Sequence, residues 1–296
     1  EIWSDMVNLK VFRSLWSCGL QKNTGCKSQP RWTELISRLR AIGYAGIECS
    51  LLDCGDDDEE RMHFREALDL HGLDLIISCY SSWVDYEGPS PQTPANIQSE
   101  LQVFSEELEK AKKLAPIKIN AHVGSDLWPN FEDHEALFAG CLQVAEGFPN
   151  ICFETHRGRP LGHPTNALRL LSKFPQLTLT GDFSHWSIAV ERPLREISTA
   201  LKVAIPRCQH IHARVGTIQS PQLHDAQGDN LDDYKRVWAQ IWRSAVARDP
   251  HVTLTANPEY GPPPYAPLNS SKIEIDRVND LGKSTLESLF TELFPD

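Results

Sequence analysis

Ile151-Cys152-Phe153-Glu154-Thr155-His156 is a strand-like run that ends in side chains able to bind a metal ion. Three later runs end in the same way: Leu179-Thr180-Gly181-Asp182-Phe183-Ser184-His185, His210-Ile211-His212-Ala213-Arg214 and Leu254-Thr255-Ala256-Asn257-Pro258-Glu259. Glu154 and Asp182 are 28 residues apart, Asp182 and His212 are 30 apart, and His212 and Glu259 are 47 apart. The first two intervals match one strand-helix unit of an eight-fold α/β barrel, which takes roughly 30 residues.

These four runs also predict where a site lies. In such barrels the side chains at the C-terminal ends of successive strands converge on one face. A lone inward Glu could pair with an Arg instead, but four matched strand ends favour a shared ion. We therefore predict that Glu154, Asp182, His212 and Glu259 bind a divalent metal ion.

The rest of the chain alternates between strand-like and helix-like segments. Predicted strands cover 11–16, 46–50, 73–80 and 117–123, and four more end at Glu154, at Asp182, near Arg214 and near Glu259. Predicted helices cover 32–41, 56–70, 95–114, 132–146, 166–173, 194–204, 234–247 and 284–293. Eight alternations favour one closed (β/α)8 barrel over residues 1–296, with a long loop at 215–233. The Gly-rich phosphate turn of an open dinucleotide-binding sheet is absent from the sequence.

Composition excludes several classes of protein. The net charge of −11 argues against nucleic-acid binding, which relies on Lys and Arg, and no apolar run is long enough to span a membrane. The eight cysteines form no CxxC pair, which favours a reducing, cytoplasmic location, with a Cys18–Cys26 disulfide as the alternative. Because the chain begins at Glu1 rather than Met, we expect a trimmed or processed start.

Strand parity separates inward from outward side chains. Cys152, Glu154 and His156 share one face of their strand, and His210, His212 and Arg214 share one face of theirs. Phe153 and Ile211 take the opposite faces, towards the helices. Only one histidine of the 210/212 pair needs to bind metal, and the other either lines the site or forms a hydrogen bond in the core.

Further polar side chains near strand ends are candidate substrate ligands. His122 ends the fourth predicted strand and could bind substrate or a second ion, and His185 follows Asp182 by three residues. Glu48 is a weaker candidate, for which a structural ion pair is the alternative. Arg157, Arg159 and Arg214 add positive charge that suits carboxylate or phosphate recognition. The Pro-rich loop at 260–265 and one or two of Trp16, Trp83, Trp128 and Trp186 are candidate walls of the site.

The sequence resembles the xylose isomerase-like barrel superfamily, in its sugar phosphate isomerase/epimerase branch. The resemblance rests on Glu-Thr-His-Arg-Gly-Arg at 154–159, Gly-Asp-Phe-Ser-His-Trp at 181–186, His-Ile-His-Ala-Arg-Val-Gly at 210–216 and Pro-Glu-Tyr-Gly-Pro at 258–262. It implies the metal ligands named above, proton exchange by Glu154 and Glu259, and substrate contact by His185. The ketose 3-epimerases of the superfamily carry a substrate arginine further beyond the seventh-strand histidine than Arg214 stands.

We therefore expect a metal-dependent isomerase or epimerase of a sugar or related polyhydroxy carbonyl compound, acting through an enediolate. His122, His156, Arg157, His210 and Arg214 are the expected substrate-binding residues. The oxygen-rich ligand set favours one Mn²⁺, Mg²⁺ or Co²⁺ ion, with Zn²⁺ as a further option. The oligomeric state is open, with a homo-oligomer as one option.

Three alternative functions remain. The first is a dehydratase or lyase, in which the same carbanion expels a β-hydroxyl group from a carboxylate-bearing substrate. A barrel that binds a metabolite without catalysis is the second. The third is an endonuclease of abasic sites, which the acidic net charge and the order Leu223-His224-Asp225 disfavour.

Overall fold

The computed structural model describes residues 7–18, 32–82, 94–148 and 150–295. Eight parallel strands form a closed barrel in the order β1-β2-β3-β4-β5-β6-β7-β8, which confirms the predicted fold. The strands are β1 (Asn8–Ser14), β2 (Gly46–Ser50), β3 (Asp74–Tyr80), β4 (Lys118–His122), β5 (Ile151–Glu154), β6 (Leu179–Gly181), β7 (Cys208–His212) and β8 (Thr253–Asn257).

Ten α-helices lie in the described part of the chain. They are α1 (Thr33–Ile42), α2 (Leu51–Cys54), α3 (Asp58–His71), α4 (Ile97–Lys112), α5 (Phe131–Val144), α6 (Pro164–Lys173), α7 (Ser184–Val190), α8 (Ser198–Ala204), α9 (Gly228–Arg248) and α10 (Lys272–Leu293).

The barrel closes through β1, which pairs with β2 on one side and β8 on the other. Outward side chains pack against the helices, as parity predicted. The ring of Phe153 lies 6.3 Å from that of Phe104 on α4 and 5.4 Å from that of Phe138 on α5. Gly46 permits the close approach of β1 to β2, since a Cβ atom there would lie 2.3 Å from the Phe12 ring.

Several predicted boundaries were wrong, chiefly for the helices. Helix α10 begins 12 residues before the predicted start, because Ser271 and Glu274 form a reciprocal capping box at its N-terminus. Helix α9 begins at Gly228, which shortens the predicted long loop. The predicted helix at 194–204 divides into a 3₁₀ turn, Leu194–Ile197, followed by α8. The short helices α2 and α7 were not predicted.

The last three strands are also shorter than predicted. Strands β6, β7 and β8 end at Gly181, His212 and Asn257, so Asp182, Arg214 and Glu259 lie in the loops that follow. Cys26 and Trp83 lie outside the described residues. The predicted alternative of a Cys18–Cys26 disulfide therefore stays untested. In the ranges listed above, no helix combines the length and apolar character needed to cross a membrane.

Candidate active site

The four side chains predicted to hold a metal ion come together at the C-terminal end of the barrel. Glu154 and His212 are the last residues of β5 and β7, whereas Asp182 and Glu259 follow β6 and β8. One potential ligand atom from each of the four lies within 4.8 Å of the others. Glu154, Asp182 and His212 are buried, and Glu259 is partly buried. We call these four residues the candidate metal group.

Three atoms of the candidate metal group are buried and make no hydrogen bond within the described residues. They are Oε1 of Glu154, Nδ1 of His212 and Oε2 of Glu259. Nδ1 of His212 lies 2.9 Å from Oε2 of Glu259 and 3.5 Å from Oε2 of Glu154. Buried polar atoms normally have partners, because their removal from water is costly. A divalent cation among these three atoms would satisfy them, so the residues fit such an ion.

Asp182, the fourth member, is held in place by neighbouring donors. Its Oδ1 accepts hydrogen bonds from the backbone N–H of Ser184 at 2.9 Å and from the Ser184 hydroxyl at 2.6 Å. Its Oδ2 accepts a hydrogen bond from the guanidinium of Arg214. Burial raises the pKa of Asp182, and Arg214 opposes that shift. The Arg214 side chain also lies 3.7 Å from Oε2 of Glu259, so it places positive charge at the edge of the group.

Glu48, at the centre of β2, accepts hydrogen bonds from four side chains inside the barrel. Nε2 of His212 lies 2.9 Å from Oε1, and Nε2 of His210 lies 3.1 Å from Oε2. The amides of Asn257 and Asn120 donate at 2.8 and 3.3 Å. Burial would raise the pKa of Glu48, but His212 and His210 hold it well below its usual range. A carboxylate that accepts from Nε2 leaves Nδ1 of His212 as the nitrogen that faces the candidate metal group.

Glu154 has partners on β4 that fix its second carboxylate oxygen. Asn120 donates from Nδ2 to Oε2 at 2.8 Å, and Nε2 of His122 lies 3.1 Å from the same oxygen. Burial alone would raise the pKa of Glu154, but His122, His212 and the Asn120 hydrogen bond lower it to about 2. Burial lowers the pKa of His122 to about 4, so its ring is neutral at neutral pH. This ring stacks on Tyr80 with 4.6 Å between centroids.

Glu259 differs from Glu154 in both backbone and charge environment. Its φ of 56° lies in the left-handed region, and its N–H donates to Oδ1 of Asn257 at 3.0 Å. Burial raises the pKa of Glu259 to about 7, against the opposing effects of His212 and Arg214. The pKa values of the two glutamates therefore differ, because their surroundings differ.

His185 and His156 lie together beside Arg214. Their rings are 4.0 Å apart, and Nε2 of His185 lies 2.7 Å from a terminal nitrogen of Arg214. Burial is the main cause that lowers the pKa of both histidines, and nearby positive charges add to it. Both rings are therefore neutral at neutral pH. These histidines also form a possible ligand group with Glu154, but Arg157, Arg159 and Arg214 make its surroundings positive.

The loop after β8 forms one wall of the site. The Tyr265 ring lies 5.1 Å from that of Trp16, and the guanidinium carbons of Arg157 and Arg214 lie 4.6 and 4.8 Å from its centroid. Gly261 permits this packing, because a Cβ atom there would lie 1.9 Å from the Trp16 ring. Trp128 and Trp186 are buried in packing contacts with His134 and Phe183.

A cleft at this end of the barrel reaches only part of the predicted site. Among the predicted residues it is lined by His122, His156, Arg214 and Glu259, together with Arg159. The remaining lining residues include Ser14, Trp16, Glu48, Ser50, Asp53 and Tyr80. Glu154, Asp182, His185 and His212 lie deeper, each no more than 2 % exposed. Arg157 is partly buried beside Tyr265.

His210 occupies a different environment from the one predicted. It is fully buried below the candidate metal group, and both ring nitrogens have partners, Thr255 at 2.8 Å and Glu48 at 3.1 Å. This geometry matches the alternative of a hydrogen-bonded core histidine. Sequence reasoning gave Glu48 too little weight and missed Asn120 and Asn257. Parity could have found Asn120, because it shares a strand face with His122.

No protein-family model matches this chain, and no curated protein matches it by sequence. Solved structures match it by fold. A D-tagatose 3-epimerase-like protein is 14% identical, with a TM-score of 0.64 over 96% of this chain and 99% of that one. A xylose isomerase-like TIM barrel protein from Mycobacterium smegmatis in complex with magnesium is 13% identical, with a TM-score of 0.61 over 99% of each chain.

A third similar structure carries a different activity in its name. It is described as the probable 3-DHS dehydratase AsbF from Bacillus anthracis and is 16% identical, with a TM-score of 0.61 over 94% of this chain and 98% of that one. Sequence identities this low show likeness of fold alone. The chain therefore has the same closed (β/α)8 barrel fold as these three proteins.

Proposed function

We propose that this protein is a metal-dependent isomerase or epimerase of a sugar or related polyhydroxy carbonyl compound. The observation that carries the proposal is the set of three buried, unsatisfied atoms on Glu154, His212 and Glu259, which converge beside Asp182. A proton on the imidazole would pair Nδ1 of His212 with Oε2 of Glu259, which are 2.9 Å apart, but Oε1 of Glu154 would still have no partner in the described residues. The names of the similar epimerases add support from fold, although they describe those proteins and not this one.

Glu154, Asp182, His212 and Glu259 would hold one divalent ion. When bound there, the ion would act as a Lewis acid towards the carbonyl and hydroxyl oxygens of the substrate. Three carboxylates and one imidazole favour Mn²⁺, Mg²⁺ or Co²⁺ over ions that prefer thiolate. Glu48 would orient His212 from behind, and His210 would hold Glu48 rather than contact the substrate.

Glu154 and Glu259 are the groups we assign to proton transfer. Removal of the proton next to a carbonyl needs a base within hydrogen-bonding reach, and epimerisation needs an acid on the opposite face of the same carbon. The two glutamates are held by different parts of the barrel, Glu154 by β4 and Glu259 by the turn after β8. His122 and His156 are neutral and line the cleft, so they would form hydrogen bonds with the remaining substrate oxygens.

A dehydratase is the second candidate, and the arginines near Tyr265 favour it. Arg214 and Tyr265 line the cleft and Arg157 contacts the same ring, so the guanidinium groups would place positive charge where a substrate carboxylate could bind. The same proton abstraction would then be followed by loss of a β-hydroxyl group. Product analysis separates the two candidates, because loss of water creates a new ultraviolet chromophore, whereas epimerisation leaves the composition unchanged.

The test is incubation with a panel of ketopentoses, ketohexoses and hydroxylated keto acids in deuterated water. We expect metal-dependent conversion with deuterium on the carbon next to the carbonyl, because a glutamic acid can exchange its proton with solvent. Treatment with a chelator should abolish both conversion and labelling, and re-addition of Mn²⁺ should restore them. Conversion without label would exclude the proton-transfer role of Glu154 and Glu259. Absence of bound metal together with chelator-insensitive turnover would exclude the metal.

A further inference from the structure

Two buried thiols are in contact directly beside the site. Cys49 lies in β2, one residue after Glu48, and Cys54 is the last residue of α2. Their Sγ atoms are 3.2 Å apart. A disulfide bond has its sulfur atoms at about 2.05 Å, so the gap to be closed is about 1.1 Å. No role in the proposed reaction requires either thiol.

The backbone around the two cysteines holds them in this arrangement. Ser50 caps α2, and its side chain and that of Asp53 form a reciprocal capping box. Cys54 donates its S–H to the carbonyl of Ser50 at 3.2 Å. The four residues between the cysteines thus form one tight turn of helix, in which a small rotation of α2 changes the distance between the sulfur atoms.

We propose that Cys49 and Cys54 form a reversible disulfide bond that couples thiol oxidation to the substrate cleft. The oxidant is a peroxide, with hydrogen peroxide as the simplest case. We assign the first step to Cys49, which keeps 3 % exposure as a residue, and the second to Cys54, which is fully buried.

The reaction balances in two steps. The Cys49 sulfur attacks one peroxide oxygen, the O–O bond breaks, and Cys49 becomes a sulfenic acid with release of one water. Cys54 then attacks the Cys49 sulfur, the S–O bond breaks, and a second water leaves as the disulfide forms. A dithiol reductant reverses the reaction by thiol–disulfide exchange. Burial raises the pKa of the Cys49 thiol, so oxidation is slow at neutral pH and faster in alkaline solution.

The link to the site runs through neighbours of the two cysteines. Ser50 and Asp53 lie between them in sequence and line the cleft. Glu48 precedes Cys49 and accepts the hydrogen bond from His212. Closing the sulfur gap draws α2 towards β2, which displaces Ser50 and Asp53 and shifts the Glu48 carboxylate. The oxidised protein should therefore have an altered cleft, whichever reaction the site catalyses.

The first experiment detects the bond without any substrate. The full chain is treated with stoichiometric hydrogen peroxide, and its intact mass and cysteine-linked peptides are measured. We expect a mass loss of two hydrogen atoms and one peptide cross-linked between Cys49 and Cys54, both reversed by dithiothreitol. A cross-link between other cysteines, oxygen addition without a cross-link, or no change in mass would overturn the proposal.

Matched variants then test which thiols are required. Cys49→Ser and Cys54→Ser should not lose the two hydrogen atoms, whereas Cys79→Ser, which removes another fully buried thiol from the next strand, should oxidise as the unmodified chain does. Peptide mapping of the unmodified chain remains decisive if a variant fails to fold. Cross-linking that persists in Cys54→Ser would assign the reaction to a different pair.

The second experiment tests the coupling to the cleft. Hydrogen exchange over residues 46–55 and Mn²⁺ affinity are compared between the reduced and oxidised chains. We expect faster exchange in this segment and about tenfold weaker Mn²⁺ binding after oxidation, the size of effect seen when a partner of a metal ligand is disturbed. Unchanged exchange would overturn the coupling. If the reduced chain binds no Mn²⁺, the proposed function fails, while the disulfide and the exchange result still stand on their own.

Discussion

The two halves of the barrel contribute different groups to the site. Strands β5 to β8 and their following loops carry Glu154, Asp182, His212 and Glu259, the whole candidate metal group. Strands β2 and β4, in the other half, carry Glu48, Asn120 and His122, which contact members of that group from below and from the side. Atoms on three members of the first set lack hydrogen bonds in the described chain, whereas the Glu48 carboxylate accepts four.

This difference is what the proposed metal site requires, because the proposed ligand atoms must stay without partners in a buried place. A side chain that must bind an ion needs free lone pairs, and its orientation must then come from contacts to its other atoms. Glu154 shows both features, since Oε1 is unsatisfied while Oε2 contacts Asn120 and His122. His212 shows them too, since Nε2 is fixed by Glu48 and Nδ1 faces the group.

The largest effect on turnover should come from substitutions in the candidate metal group. Glu154→Gln and Glu259→Gln each remove a charge and a proton-transfer group, so we expect kcat to fall by about 10²–10⁴-fold with the fold retained. Circular dichroism checks the fold, and turnover in deuterated water checks the chemistry.

Glu66→Gln is the matched control, because Glu66 is an exposed glutamate on α3. Its turnover should equal that of the unmodified chain. Near-normal turnover of both site variants on the true substrate would remove Glu154 and Glu259 from proton transfer.

The next largest effect should come from Glu48 on β2, which contacts the candidate metal group from the other half of the barrel. Glu48→Gln keeps the shape of the side chain but removes the charge that holds Nε2 of His212 and His210. We expect metal affinity to fall by about 10–100-fold, the usual cost of losing such a partner, as measured by titration of Mn²⁺. If Glu48→Gln binds Mn²⁺ as tightly as Glu66→Gln does, the candidate metal group does not depend on the Glu48 charge.

The same division explains what could be predicted from the sequence. The candidate metal group was visible because each member stands at the end of its own strand or within two residues after it, and spacing along the chain reveals such ends. Glu48 lies in mid-strand, and its partners on β4, β7 and β8 are distant in sequence, so nothing local distinguishes it from an ordinary ion pair. The early start of α10 was visible in principle, because Ser271 and Glu274 have the spacing of a capping box.

A smaller effect should follow from His185→Ala. This residue contacts Arg214 at 2.7 Å and lies 3.5 Å from Oδ2 of Asp182, but it is absent from the candidate metal group. We expect metal content to be unchanged and kcat/KM to fall by about tenfold, because Arg214 loses a neighbour that fixes its position at the cleft. Loss of the ion, measured by elemental analysis, would instead make His185 part of the metal site.

The smallest effect on turnover should come from Asn120→Leu, which tests the contact between the two halves directly. Nδ2 of Asn120 donates to Glu48 at 3.3 Å and to Glu154 at 2.8 Å, so one amide links Glu48 to a member of the candidate metal group. The variant leaves two buried carboxylates with one donor fewer each, which should lower the free energy of unfolding by about 1–3 kcal/mol. Turnover should fall only a few-fold, because His122 still contacts Glu154.

A double-mutant cycle with Glu48→Gln measures whether Asn120 acts through Glu48. Because the two side chains are in contact, we expect their effects on unfolding to be non-additive by about 0.5–3 kcal/mol in denaturant titrations. Ser172→Ala, on the exposed side of α6, paired with Glu48→Gln serves as the control cycle and should be additive. If the Asn120 and Glu48 effects simply add, the amide supports Glu154 alone, and Glu48 is then linked to the other half of the barrel through His210, His212 and Asn257.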